Sequence, residues 1–166
     1  MNFEVAIVAL GSNVGDSPGI LRRTMERLDS LSVKPLVKSS LWQTTPVDCP
    51  PGSPPFVNAV VAFTPPSEET PESLLAKLQA LECEFGRRPK QVLNEPRRLD
   101  LDLIAFGNET RRTPTLTLPH PRAAERRFVL QPLSEFAPEL VLPNQTKSVT
   151  QLLAKLDTVE KLVKLV

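Results

Sequence analysis

The chain has almost no net charge, almost no cysteine and no long apolar run, and each shortage excludes something. Its 166 residues sum to a formal charge of +1. That is too little for the broad basic field of a nucleic-acid binder or a membrane-surface protein. Two cysteines, Cys49 and Cys83, give no disulfide framework. A reduced, cytoplasmic setting is the simpler expectation. No apolar run approaches the ~18 residues of a membrane span, and no basic-then-hydrophobic leader opens the sequence. The expectation is a soluble, unexported protein with no membrane and no nucleic-acid partner. Histidine is also scarce, and His120 stands alone. The glycine-containing stretch after the first strand lacks a following Gly-Lys-Ser/Thr, so it is not a Walker loop.

What is present suits one domain spanning 1–166, expected to be a monomer. Hydrophobic content of 40% and charged content of 23% are ordinary for a packed globular chain, which argues against disorder. The positive charge is unevenly placed. Nine of the twelve arginines lie between Arg87 and Arg127. An arginine field inside a neutral protein points to a compact anionic ligand. The eighteen prolines cluster at 46–55, 65–71 and 114–121, where they mark loops.

The most informative stretch runs from Pro96 to Phe106. Apolar and polar residues alternate and then give way to an apolar tail, which is the pattern of a β-strand. Leu99, Leu101 and Leu103 point one way; Arg98, Asp100 and Asp102 point the other. Two carboxylates at i and i+2 stand roughly 7 Å apart by strand rise. Hard oxygen ligands so placed suit Mg²⁺, which tends to bind one or two carboxylates together with substrate phosphates. Two solvated acids beside arginines would produce the same pattern, so the motif alone does not decide between them.

Taken in order, Phe3 to Leu10 reads as a strand, ending in a turn over Gly11–Asp16. Ser17-Pro18 reads as the cap and first position of a helix with Ile20, Leu21, Met25 and Leu28 as its apolar stripe. Val33–Trp42 reads as a second strand, and Phe56–Phe63 as a third that Asn58 interrupts. Between them lies a proline-rich loop expected to be mobile or functional. Thr70-Pro71 opens a second helix whose stripe is Leu74, Leu75, Leu78 and Leu81, with Gln79, Glu82 and Glu84 off that stripe. Gly86 stops it, and Arg87–Pro96 is a polar loop and a candidate lid. His120 sits between two prolines, before Arg126-Arg127-Phe128. Ser148–Val166 reads as a terminal amphipathic helix docked on the core. Strand, helix, strand, strand, helix, strand is the order of a ferredoxin-like α+β sandwich. It implies a largely antiparallel sheet with helices packed mainly on one face.

Several motifs together resemble one family. They are Ala9-Leu10-Gly11-Ser12-Asn13, Phe56-Val57-Asn58-Ala59, Glu82 with Gly86-Arg87, Pro96-Arg97 with Leu99-Asp100-Leu101-Asp102, and Leu118-Pro119-His120-Pro121 with Glu125-Arg126-Arg127-Phe128. The chain resembles the 6-hydroxymethyl-7,8-dihydropterin pyrophosphokinases of folate synthesis over about residues 3–155. That resemblance implies transfer of pyrophosphate from ATP to the pterin hydroxymethyl group, releasing AMP. It implies that Asp100 and Asp102 hold two Mg²⁺ ions, and that Arg87, Arg97, His120 and Arg126 hold phosphates. Phe56 and Phe128 would sandwich the pterin. Asn58 and Thr44, with backbone around Thr45 and Val47, would read its polar edge. Gln79 and Glu82 would line the nucleotide and metal region, and Leu103 would lie on the adenine side. Two positions depart from the pattern of some members: Asn94 stands where a loop tryptophan closes the site, and Pro89 where a second loop arginine sits.

Other readings make different demands. A polymerase- or cyclase-like palm would share the Asp-x-Asp, act on nucleotides and need no pterin pocket. An RNA-recognition module would need a basic, aromatic sheet face, whereas acids stand on this one. A regulatory ligand-binding domain would not need the carboxylate pair.

Overall fold

The computed structural model describes residues 4–44, 51–52, 54–86, 98–158 and 160–165. Strand β1 (Ala6–Ser12) is buried along its whole length and is the spine of the sheet. Burial on both faces explains why its sequence is a continuous apolar run. Strand β4 (Phe56–Phe63) pairs with it on one side and β5 (Asp100–Phe106) on the other, both antiparallel.

Between β1 and β4 lie, in chain order, α1 (Ser17–Asp29), β2 (Val37–Lys38) and β3 (Trp42–Thr44). After β4 comes α2 (Pro71–Glu84), which leads into β5. A small ribbon of β6 (Arg111–Arg112) and β7 (Thr117–Leu118) follows, then a 3-10 turn at Ala123–Glu125, α3 (Arg127–Ser134), α4 (Val149–Lys155) and β8 (Leu162–Lys164). The main sheet has the order β5-β1-β4-β3-β8, with β2 also on β4. This is the antiparallel ferredoxin-like α+β arrangement implied by the element order.

One face of the sheet packs on α1 and α2. Ala6, Val8 and Leu10 of β1, Leu101 and Leu103 of β5, and Val61 and Phe63 of β4 meet Ile20, Leu21 and Leu28 of α1 and Leu74 and Leu78 of α2. Each of these larger side chains contributes about 1.5–3 kcal/mol of burial. Both helices start on side-chain caps. Thr70 caps α2 in a reciprocal box with Ser73. Asp16, one residue before the expected Ser17, caps α1 by accepting from Gly19 N–H at 3.2 Å.

The opposite face is half covered by the shorter α3 and α4. Ile7, Ala9, Val60, Ala62, Ile104 and Ala105 meet Val129, Leu130, Leu133 and Val149 there. A bulge makes this possible. Ile7 pairs with Ala105 but Val8 with Leu103, so Ile104 is the extra residue. The bulge sends Ile104 and Ala105 both to the α3 side, which is why alternation fails in the apolar tail of that strand.

Two expected elements are cut short or divided. The segment 33–42 is not one strand. Ser39 accepts from Val60 N–H through its hydroxyl and donates its own N–H to Val60 C=O, and Ser40 turns to Glu135, so the ladder breaks between β2 and β3. The terminal helix stops at Lys155, and Leu156 is extended. The chain then returns as β8, paired antiparallel with β3.

Glu135, at the end of α3, ties these edges together. Its carboxylate accepts from Trp42 Nε1 at 2.7 Å and from Ser40 N–H and Oγ at 3.0 and 2.8 Å. Burial pushes the carboxyl up, but the hydrogen bonds from Trp42 and Ser40 outweigh it and hold the group below its usual value. A depressed carboxylate adds stability that is present above its unfolded value and lost as pH falls through its folded one. Glu135→Ala is expected to cost about 1–3 kcal/mol in urea unfolding, through the donors it leaves unpaired. A change within experimental error would show that water replaces the carboxylate.

Candidate active site

The register places one polar row across the sheet. Trp42 faces Asn58, Asn58 faces Gly11, and Gly11 faces Asp100. One step along β5, Asp102 faces Ala9. Because side chains alternate, Asn58, Asp100 and Asp102 share the face on which α3 and α4 pack. The helices cover that face as far as Ala9 and Val60. Beyond them it carries Thr44, Phe56, Asn58, Asp100 and Asp102, so apolar core gives way to polar surface along the same strands.

Gly11 lies inside β1, whereas the sequence placed it in the following turn. A Cβ there would come within 3.0 Å of Asn58 Nδ2 and 3.7 Å of the Phe56 ring. The missing side chain lets the Asn58 amide and the Phe56 ring close over the strand. Asn58 is buried and accepts from Thr44 Oγ1 at 2.6 Å through its Oδ1. The accepted bond fixes the amide's orientation.

Asp100 and Asp102 are both partly exposed on the edge strand β5. Arg126 approaches Asp102 to 3.8 Å and lies over the Phe128 ring, 5.3 Å from its centroid. A pair this exposed contributes under about 1 kcal/mol, so a bound anion can draw Arg126 away at little cost. Burial lowers the proton affinity of Arg126 and Asp102 opposes this, and the side chain remains a cation at neutral pH.

His120 is held against the same strand by its N–H, which donates to Ile104 C=O at 2.8 Å. Its Nδ1 accepts from Arg122 N–H at 3.2 Å. That bond selects the neutral tautomer protonated on Nε2. Burial, then the charges of Arg126 and Arg122, push its pKa below the usual value, with Asp100 opposing. A neutral Nε2–H donor beside arginines fits contact with an anion.

Glu82 is buried and accepts from Leu101 N–H at 2.8 Å. It therefore lies on the inner stripe of α2, four residues after Leu78, and not off that stripe as expected. Gln79 is exposed on the same helix. The Leu103 side chain is core, 3% exposed on the α1–α2 face. Any contact it makes with an adenine must therefore come from its backbone. Thr45, Val47, Arg87 and Arg97 lie outside the described residues, as do Pro89 and Asn94 and most of the two expected loops. Among the described residues no three His, Cys, Asp or Glu side chains form a metal cluster. The acidic pair Asp100–Asp102 is thus the donor set on offer.

The family model for 7,8-dihydro-6-hydroxymethylpterin-pyrophosphokinase (HPPK) matches residues 7–138. The chain belongs to the HPPK family. With it, the chain is an ATP-dependent pyrophosphokinase of folate synthesis. Among its relatives, the 2-amino-4-hydroxy-6-hydroxymethyldihydropteridine pyrophosphokinase of Haemophilus influenzae is 39% identical over 140 residues, covering 84% of this chain and 85% of the relative. The Synechocystis protein of that name is 36% identical over 152 residues, covering 92% and 76%. The Pneumocystis carinii folic acid synthesis protein fol1 is 35% identical over 140 residues, which cover 84% of this chain but only 18% of that protein. Among solved structures, wild-type Plasmodium falciparum HPPK-DHPS with pteroate superposes at a TM-score of 0.70 with 14% identity, covering 91% of this chain and 42% of that one. This chain therefore spans less than half of that HPPK-DHPS chain and most of the relatives named for the pyrophosphokinase alone.

For this HPPK chain, sequence reading singled out the polar residues of the row and missed its floor. Gly11 carries the signal that could have found it, because glycine inside a β-type run marks a close approach.

The lowered His120 pKa sets a pH dependence. Below its ordinary value of 6.5, the unfolded chain takes up a proton that the folded chain resists. Folding stability therefore falls as pH drops through that window. His120→Asn is expected to flatten the stability profile between about pH 7 and 5, measured by urea unfolding. Equal slopes in wild type and variant would contradict the shift.

Proposed function

We propose that this chain moves the pyrophosphoryl group of ATP onto 6-hydroxymethyl-7,8-dihydropterin at the open end of the second sheet face. The bond between the α- and β-phosphates breaks and AMP leaves. The hydroxymethyl oxygen bonds to the β-phosphorus and gives up its proton. One observation carries the reading: the Thr44–Asn58 pair and the Asp100–Asp102 pair lie on one sheet face, on opposite sides of the side-chain-free Gly11. A polar heterocycle and a charged triphosphate can thereby meet over adjacent strands.

Each residue has a role in this reading. Asn58, oriented by Thr44, reads the amide-like edge of the pterin, with backbone at Thr45 and Val47 completing that edge. Phe56 and Phe128 stack on its two faces. His120 and Arg126 hold phosphate oxygens, joined by Arg87 and Arg97. Gln79, Glu82 and Leu103 border the nucleotide. Asp100 and Asp102 hold Mg²⁺, with two ions as the preferred number. The donor set fits that metal, being two partly exposed hard-oxygen ligands that leave room for phosphate oxygens and water. When bound, the metal offsets triphosphate charge and lowers the pKa of the attacking hydroxyl. Among the described residues no side chain stands out as a general base, and in this reading catalysis rests on alignment and charge stabilisation. We take residues 1–166 as one domain acting as a cytoplasmic monomer without nucleic-acid or membrane partners. No helix among the described residues is long and apolar enough to cross a membrane.

The test is turnover with ATP, Mg²⁺ and the pterin, with the nucleotide product identified. AMP formed only with pterin present is the expected result, and ADP would mean attack at the γ-phosphorus. Asp100→Asn and Asp102→Asn should each lower turnover by at least about a hundredfold while the melting temperature stays close to wild type. Near-normal rates would remove the metal assignment. Gly11→Ala should weaken pterin binding at least about fivefold by pushing the Asn58 amide aside, with Mg-nucleotide binding retained. Unchanged pterin affinity in a fluorescence titration would show that the floor is not part of the site.

A further inference from the structure

The segment after α4 has no place in the roles above, yet it grips both walls of the pterin half of the site. At one wall, α3 begins without a cap of its own. Its N-cap residue is Arg126, whose side chain makes no capping hydrogen bond and carries no acceptor. The first-turn donors of a helix need an acceptor from elsewhere. Glu160 supplies it, with its Oε1 accepting from Arg127 N–H at 2.8 Å. The Arg127 guanidinium reaches back to Leu156 C=O at 3.5 Å. The half-buried Glu160 carboxylate also lies near enough to Arg126 to affect its proton affinity. Arg127 stands between Arg126 and Phe128, so this contact holds the turn that carries both.

At the other wall, β8 covers the edge of β3. Thr44 faces Leu162, Gln43 faces Val163 and Trp42 faces Lys164. Leu165 N–H donates to Leu41 C=O at 2.8 Å. Lys164 lies over the Trp42 ring at 5.4 Å and approaches Glu135 to 3.8 Å. A three-residue strand such as β3 has little pairing of its own, and β8 gives it a second neighbour. Thr44, the donor that orients Asn58, sits at the end of that strand.

We propose that residues 156–158 and 160–165 form a positioning strap for the pterin subsite, with Glu160 as its positioning residue at α3 and β8 as its hold on β3. The strap touches no reacting atom. It sets the Arg126–Phe128 turn and the Thr44–Asn58 pair before substrate arrives, which lowers the ordering cost of binding. The inference rests on the pterin reading given above and adds a residue to it.

The test compares wild type, Glu160→Ala and Glu160→Gln in the full chain. Each is titrated with the pterin in the presence of a non-hydrolysable Mg-ATP analogue, and with the analogue alone. Glu160→Ala should weaken pterin binding roughly fivefold or more, the scale of a lost helix cap, and weaken analogue binding, which loses only the placement of Arg126, by a clearly smaller factor. Glu160→Gln keeps an acceptor for Arg127 N–H and should restore pterin binding to within about twofold of wild type. Unchanged pterin affinity in Glu160→Ala overturns the strap, as does a Gln variant as weak as the Ala variant or an equal loss for both ligands. A wild-type protein that binds the analogue but no pterin overturns the functional reading itself, and the strap with it.

Discussion

A strand buried on both faces must be covered twice, and β1 is covered unequally. On the α1–α2 side, apolar side chains continue from Ala6 to Leu10 without a gap. On the α3–α4 side the cover ends near Ala9, and the next outward positions are Gly11 and its cross-strand neighbours Asn58 and Asp100. The site is what remains when the second layer is shorter than the sheet. Its floor is rigid because it belongs to the same hydrogen-bonded ladder as the core. Side chains on such a floor are already aligned, which is where a reaction governed by positioning gains most.

Charge follows the same division. The acids lie on the edge strand β5, and the segment that passes that edge brings the cation Arg126 and the neutral His120 up to them. The pairing of Asp102 with Arg126 is weak through distance and exposure. Asp102 and Arg126 stand 3.8 Å apart at a partly open surface, and His120 is kept neutral by burial and by its arginine neighbours. A guanidinium held loosely, as Arg126 is, can turn from Asp102 to phosphate. The strong hydrogen bonds lie behind them instead, at Thr44–Asn58, Glu82–Leu101 and Glu135–Trp42. Rigid support and exchangeable surface contacts occupy different residues.

Elements decided by local pattern were legible in the sequence. The apolar run Phe56–Phe63 is a strand with those bounds, and Thr70-Pro71 begins α2 as a cap followed by proline. Asp100 and Asp102 share one face with Leu101 and Leu103 on the other, as alternation requires. Elements decided by distant partners were not legible. Leu162–Lys164 is a strand because β3 offers it an edge, and nothing local separates it from a helical continuation. Glu82 is an acid on an inner stripe, which becomes intelligible only when Leu101 N–H is seen to need an acceptor. Glu160 caps a helix 33 residues before it, a relation that spacing cannot reveal.

The central claim is that both ligands lie on one half-covered sheet face, side by side across Gly11. Amide chemical-shift mapping tests it directly, with the pterin and a non-hydrolysable Mg-ATP analogue added in turn. The expected result is two adjoining sets of shifts. The pterin should move Gly11, Thr44, Asn58 and Phe128, and the nucleotide analogue should move Asp100, Asp102, His120 and Arg126. Shifts centred on the solvent side of α1 and α2, or one shared set for which the two ligands compete, would contradict it.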